Sequence, residues 1–119
     1  MAIIGLHALI YSKAAEEVRR VFGDAFGWNA VDAGRGWLIF AAPPTELAVH
    51  PSDEDYHELY LMCDDITRTV SDLQTRGIQT KGPIADRGWG LVTTLKLPGG
   101  AELGLYEPRH PTAIPAPGA

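Results

Sequence analysis

The sequence of 119 residues holds a single cysteine, Cys63. One cysteine excludes an intramolecular disulfide, and it excludes a zinc site built only from this chain's thiolates. Basic residues are in deficit: 10 Lys and Arg stand against 15 Asp and Glu, a net charge of −5. With no basic face, a nucleic-acid partner is not expected. No apolar run approaches the roughly 20 residues that a membrane-spanning helix needs, so no membrane partner is expected either. The opening residues Met1, Ala2, Ile3 and Ile4 place no basic region ahead of an apolar stretch. No secretory signal is therefore expected, and the chain is expected in the cytoplasm. A phosphate-cradling loop is missing too, because Gly34-Arg35-Gly36 lacks the spacing and falls between strands. No serine elbow with His and Asp partners is present. What remains is an ordinary globular composition, 45% hydrophobic and 21% charged, which suits one domain over residues 1–119.

Periodicity divides the chain into two similar halves. Residues 3–11 are mostly apolar and predict a buried strand. Ser12 is placed to cap a helix over 13–26, whose Val18, Val21, Phe22, Ala25 and Phe26 recur at helical spacing. Gly27 stops it. Strands are predicted at 28–32, 37–41 and 46–50, with a turn at 33–36. After a polar break at 51–55 the pattern returns. A strand at 58–63 leads into a helix capped by Asp65 or Thr67 and stopped by Gly77. A short strand at 78–83, a strand at 89–97, a tight turn at Pro98-Gly99-Gly100 and a last strand at 101–106 complete it. Gly36-Trp37-Leu38 echoes Gly88-Trp89-Gly90, and the 45–49 stretch echoes 101–105. The modules span about 1–51 and 56–108, and the proline-rich 109–119 is expected to be an irregular tail. Neither half is large enough to hide both faces of a four-stranded sheet, so two sheets must share a surface, within one chain or across a dimer.

A duplicated βαβββ unit of this length resembles the vicinal oxygen chelate superfamily, the group of glyoxalases, bleomycin resistance proteins and extradiol dioxygenases. The likeness runs to about Pro108 and rests on His7, Val21-Phe22, Phe26-Gly27-Trp28, Met62-Cys63-Asp64-Asp65-Ile66, Leu97-Pro98-Gly99-Gly100 and Leu105-Tyr106-Glu107-Pro108. It implies an α+β fold in which two βαβββ modules form a cup-shaped mixed β-sheet with flanking helices. It also implies a homodimer. Members share the fold without sharing a reaction, so function has to be argued from the site.

The resemblance implies one metal ligand on the first and one on the last strand of each half. The first-strand positions fall on His7 and Glu58, with His57 replacing Glu58 if the strand carries a bulge. The last-strand positions fall on Gly104 and, by internal symmetry, Ala48, neither of which brings a donor. By alternation Glu46, Glu102, His50 and Tyr106 share that inward face, and Glu107 points the other way. His7, Glu58 and His50 are thus the candidate ligands for one divalent ion (Fe, Mn, Ni or Zn), with Glu46, His57 and Glu107 as rivals. His7 and Glu58 are also the candidate catalytic pair, able to exchange a proton if they meet across the cup. Trp37, Glu46, Tyr60, Trp89 and Tyr106 are the candidate substrate-binding residues, since aromatic walls suit a planar ligand. The bland alternatives stay open: His7 as a core residue, Glu58 in water at a strand entrance, His50 and His57 as exposed linker residues, the tryptophans as core. Cys63 is expected to be a small buried residue under the second helix. Two functions follow. One is a protein that binds a small molecule in the cup with a divergent metal site. The other is a metal-dependent glyoxalase-, epimerase- or extradiol-dioxygenase-like enzyme acting on adjacent oxygens of a small substrate.

Overall fold

The structure is a computed structural model that describes residues 7–46, 48, 51, 53–54 and 56–112. Among these residues it is α+β, with two α-helices and two sheets. In the first half, α1 (Ala15–Arg20) continues into a wider helical turn over Val21–Ala25. Ser12 Oγ accepts from the Ala14 amide at 3.0 Å, next to the predicted start. The chain turns out of the helix at Gly27, and the Trp28 amide donates back to the Phe22 carbonyl at 3.0 Å. An antiparallel hairpin follows, β1 (Ala30–Asp32) against β2 (Leu38–Phe40). Its turn is held by Asp32, whose carboxylate accepts from the Gly34 and Gly36 amides at 2.7 and 3.3 Å. Short polar side chains hold turns in this way by replacing backbone acceptors.

The second half keeps the predicted order of a strand, a helix and three strands. β3 (Tyr60–Met62) leads into α2 (Ile66–Thr75), followed by β4 (Ala85–Asp86), β5 (Gly90–Lys96) and β6 (Glu102–Pro108). The strands lie in the order β3-β6-β5-β4, with β3 parallel to β6 and the others antiparallel. Asp65 caps α2, its Oδ1 accepting from the Arg68 amide at 3.1 Å. Loss of such a cap costs about 0.5–2 kcal/mol. Glu107 Oε1 adds a second acceptor at the same end, taking the Ile66 amide at 3.0 Å. Two carboxylates thus face the positive end of the helix.

Alternation along the paired strands sends Leu95, Leu103 and Leu105 to the helix side. There they pack with Ile66 and Leu73 of α2, with Val18 and Ala25 of the first helix, and with Ile78 and Leu97. Arg76 ties the halves on this side, donating from Nη1 to the Ala25 carbonyl at 2.7 Å. The opposite face of the sheet carries Tyr60, Val92, Thr94, Gly104 and Tyr106.

Three sequence expectations change. Residues 7–11 form no strand, and 3–6 lie outside the described residues. A strand exists only with a ladder partner, and most of the 46–50 segment also lies outside the described residues, while Glu46 and Ala48 are not in a strand. The strand expected at 78–83 reduces to one bridge, Thr80 to Leu95. The partner of β5 is instead 85–86, where Asp86 pairs with Leu91.

Cys63 sits half-buried under α2, as its position predicts. Its amide donates to the Tyr106 carbonyl at 2.9 Å, and its thiol reaches the same oxygen at 3.5 Å. Burial pushes the thiol up from 9.0 to about 11, opposed by a hydrogen bond from Thr69 and reinforced by Glu107, Asp64 and Asp65. The thiolate is the reactive form, so alkylation by iodoacetamide at pH 8 should run about 100-fold slower in the folded protein than in urea. Equal rates in the two states would show that the thiol is neither buried nor shifted.

Candidate functional site

Three aromatic side chains meet on the open face of the four-stranded sheet. Tyr60 comes from β3, Tyr106 from β6, and Trp89 from the residue just before β5. Their ring centroids lie 6.0 Å (Tyr60–Trp89), 5.7 Å (Tyr60–Tyr106) and 5.3 Å (Trp89–Tyr106) apart, each pair edge to face. Such contacts each add about 0.5–1.5 kcal/mol beyond the area they bury. Tyr106 is the floor, 9% exposed, while Trp89 and Tyr60 remain 45% and 40% exposed. Large rings left this open are available to a ligand.

Two glycines make the platform possible. Tyr60 pairs with Gly104 across the β3–β6 ladder. A Cβ built on Gly104 would clash with the Cδ1–Cε1 edge of the Tyr60 ring. On the other side, a Cβ on Gly90 would lie 2.9 Å from both the Tyr106 ring and the Glu107 carbonyl oxygen. Any larger residue at either site would push a ring off the sheet.

Charged groups act on the rings from several parts of the chain. Burial raises the Tyr60 hydroxyl above its ordinary value, and Glu58 and Tyr56 add to this while Arg87 opposes it. Burial also raises Tyr106, with a further push from the negative charge of Glu46. His110 stacks on Tyr106 at 5.8 Å, and its Nε2 lies 3.2 Å from the Tyr106 hydroxyl. The segment that carries His110 is anchored by the Arg109 amide, which donates to the Trp89 carbonyl at 2.9 Å.

The structure therefore joins Tyr60, Trp89, Tyr106 and Glu58, and brings Glu46 near enough to act on Tyr106. Trp37, at the end of the β1–β2 turn, is exposed and shares no ring contact with this cluster. His7 and His57 are exposed on irregular backbone, and His50 lies outside the described residues. Glu107 is engaged on the helix side, at the Ile66 amide and 4.0 Å from Arg109 Nε. His110 is the member that sequence reasoning missed. It sits in a proline-flanked tail, and only the Tyr106 ring beneath it gives it a place.

Among the described residues, which leave out the candidate ligand His50, the donor set does not fit the metal that the resemblance implies. Gly104 supplies no ligand, and the Tyr60 ring takes the space a side chain would need. Among the described residues, no three His, Cys, Asp or Glu side chains are grouped to hold an ion. A groove of about 380 Å3 lies elsewhere, between α1 and the β1–β2 hairpin. Its charged lining is partly self-satisfied, Arg20 lying 3.7 Å from Glu16. Among the described residues, no helix is long and apolar enough to cross a membrane.

No family model and no curated protein matches the sequence. Solved structures do match. TnmS3, an antibiotic binding protein from Streptomyces sp. CB03234, is 22% identical with a TM-score of 0.65, over 91% of this chain and 98% of its own. A member of the glyoxalase/bleomycin resistance protein/dioxygenase superfamily from Sphaerobacter thermophilus DSM 20745 is 19% identical with a TM-score of 0.61, over 88% and 98%. Lactoylglutathione lyase from Agrobacterium tumefaciens is 14% identical with a TM-score of 0.57, over 87% and 92%. The chain has the fold of the glyoxalase/bleomycin resistance protein/dioxygenase superfamily, the vicinal oxygen chelate fold named by its sequence resemblance.

Proposed function

We propose that the chain is a small-molecule binding protein whose ligand lies on the Tyr60–Trp89–Tyr106 platform, with no metal taking part. The observation that carries this reading is the Tyr60 ring seated on Gly104. It puts an aromatic surface where the superfamily resemblance would put a carboxylate ligand. The likeness to an antibiotic binding protein supports the same reading. In this reading the two halves form a cup around the platform. The influence of Glu46 on Tyr106 supports it, because it links a residue of the first half to the second. A second copy of the chain is the proposed cover for Leu9 and Tyr11, which are 54% and 88% exposed.

The test is calorimetric titration with 9-anthracenemethanol, a neutral planar tricycle. Saturable binding is expected. Tyr60→Ala and Trp89→Ala should each weaken it by about 1–3 kcal/mol, roughly 5- to 150-fold, while circular dichroism shows both variants folded. Binding that survives both substitutions unchanged, or no binding to the parent protein, removes the platform as the ligand site.

A further inference from the structure

Tyr106 is the least exposed ring of the platform, at 9% against 40% for Tyr60 and 45% for Trp89. Part of its cover comes from the chain that follows its own strand. β6 ends at Pro108, paired with Gly90, and the Arg109 amide then donates to the Trp89 carbonyl at 2.9 Å. The backbone is held there beside the platform, and the next residue, His110, lays its ring on Tyr106. Tyr60 and Trp89 stand across the Tyr106 ring, at 80° and 67°. His110 lies along it instead, 27° from parallel, with the centroids 5.8 Å apart. Offset stacking of this kind is how a flat ring packs on an aromatic floor. His110 thus holds the place on Tyr106 that a planar ligand would take. The hold is light. His110 Nδ1 lies 2.8 Å from the Pro111 carbonyl oxygen. A carbonyl oxygen only accepts, so Nδ1 carries the proton, and Nε2 of the neutral ring accepts from the Tyr106 hydroxyl across 3.2 Å. That is long for a bond from a hydroxyl. His110 is half-buried, while Arg109, Pro111 and Thr112 around it are exposed.

We propose that residues 109–111 are a strap that closes the binding platform, and that a planar ligand reaches Tyr106 by displacing the His110 ring. This rests on the binding function proposed above and names the regulation of that site. Tyr60 and Trp89 stay open and give the ligand its first contact. One ring contact and one neutral hydrogen bond oppose it at Tyr106, and the ligand replaces the first with a contact of its own. Apparent affinity is then the intrinsic affinity reduced by the fraction of molecules in which the strap is closed. Displacement also releases the segment beyond the Arg109 anchor, so that an occupied platform differs from an empty one in the chain after β6.

Two readouts test the strap, both on the full chain with 9-anthracenemethanol, whose neutrality keeps charge out of the comparison. In calorimetric titration His110→Ala should bind it at least about fivefold more tightly than the parent, since a ring contact and a hydrogen bond no longer compete. Circular dichroism should show the variant folded. In limited proteolysis, trypsin cutting after Arg109 releases residues 110–119, read by mass spectrometry. A protease needs the segment free of its contacts, so saturating ligand should speed this release in the parent. In His110→Ala the release should already be fast, and the ligand should leave it unchanged. Affinity in His110→Ala equal to or weaker than in the parent overturns the strap. So does a ligand that slows the parent's release or leaves it unchanged, because His110 would then be a wall the ligand rests on. Either result leaves the binding function standing. If neither protein binds 9-anthracenemethanol, the binding function falls, and the strap with it.

Discussion

Gly104→Ala should unseat the Tyr60 ring, destabilise the protein and abolish planar-ligand binding. The added methyl clashes with the near edge of that ring, not with a flexible tip. Tyr60 is 40% exposed, so relief comes by swinging the ring into water. That forfeits two edge-to-face contacts, with Trp89 and Tyr106. The cost should be about 1–3 kcal/mol, seen as a melting temperature lower by roughly 4–12 °C. 9-Anthracenemethanol affinity should fall at least about tenfold. The double variant Tyr60→Ala/Gly104→Ala separates this from a backbone effect. With the ring gone, the methyl meets no clash, and the second substitution should cost far less than it does alone. If the two costs simply add, Tyr60 does not lie over Gly104.

Leu95→Ala should have the largest effect on stability itself. Leu95 is fully buried, 0% exposed, between its β6 partner Leu103 and the helices. Truncating a core leucine removes transfer energy and leaves a cavity, together about 2–5 kcal/mol. Against a domain total of about 5–15 kcal/mol, that consumes much of the margin. Urea unfolding should show a lower midpoint with an unchanged slope. Leu95→Met keeps the volume and should cost less than about 1.5 kcal/mol. A loss under about 1 kcal/mol for the alanine variant would mean that this side of the sheet is not the core.

The second half of the fold was legible because its signals are local. Asp65 and Gly77 bracket α2, and alternation in 58–63 sends Leu61 and Cys63 to the core and Tyr60 outward. A cap, a stop and a period of two need only neighbouring residues. The first half was less legible. Apolar character at 3–11 predicts a strand, but a strand also needs a partner, and its described part, 7–11, has none. Among the candidate site residues, Tyr60, Tyr106 and Trp89 were named from parity and from the echo of Trp37. The same reasoning could not separate Trp89 from Trp37, because the two differ only in what lies across from them.

By itself, the sequence determined the α+β class, the strand–helix–three-strand order of the second half, the placement of Cys63 in the core, and the lack of a donor at Gly104. Each of these follows from residue type and spacing along the chain. The tertiary structure alone decided what occupies the space above Gly104, why Glu107 belongs to the start of α2, and that His110 closes on Tyr106. These are contacts between residues 41 to 44 positions apart, or across a proline bend. No local pattern encodes the first two, because they exist only once β3 has paired with β6 and set the side chains of one strand against those of the other.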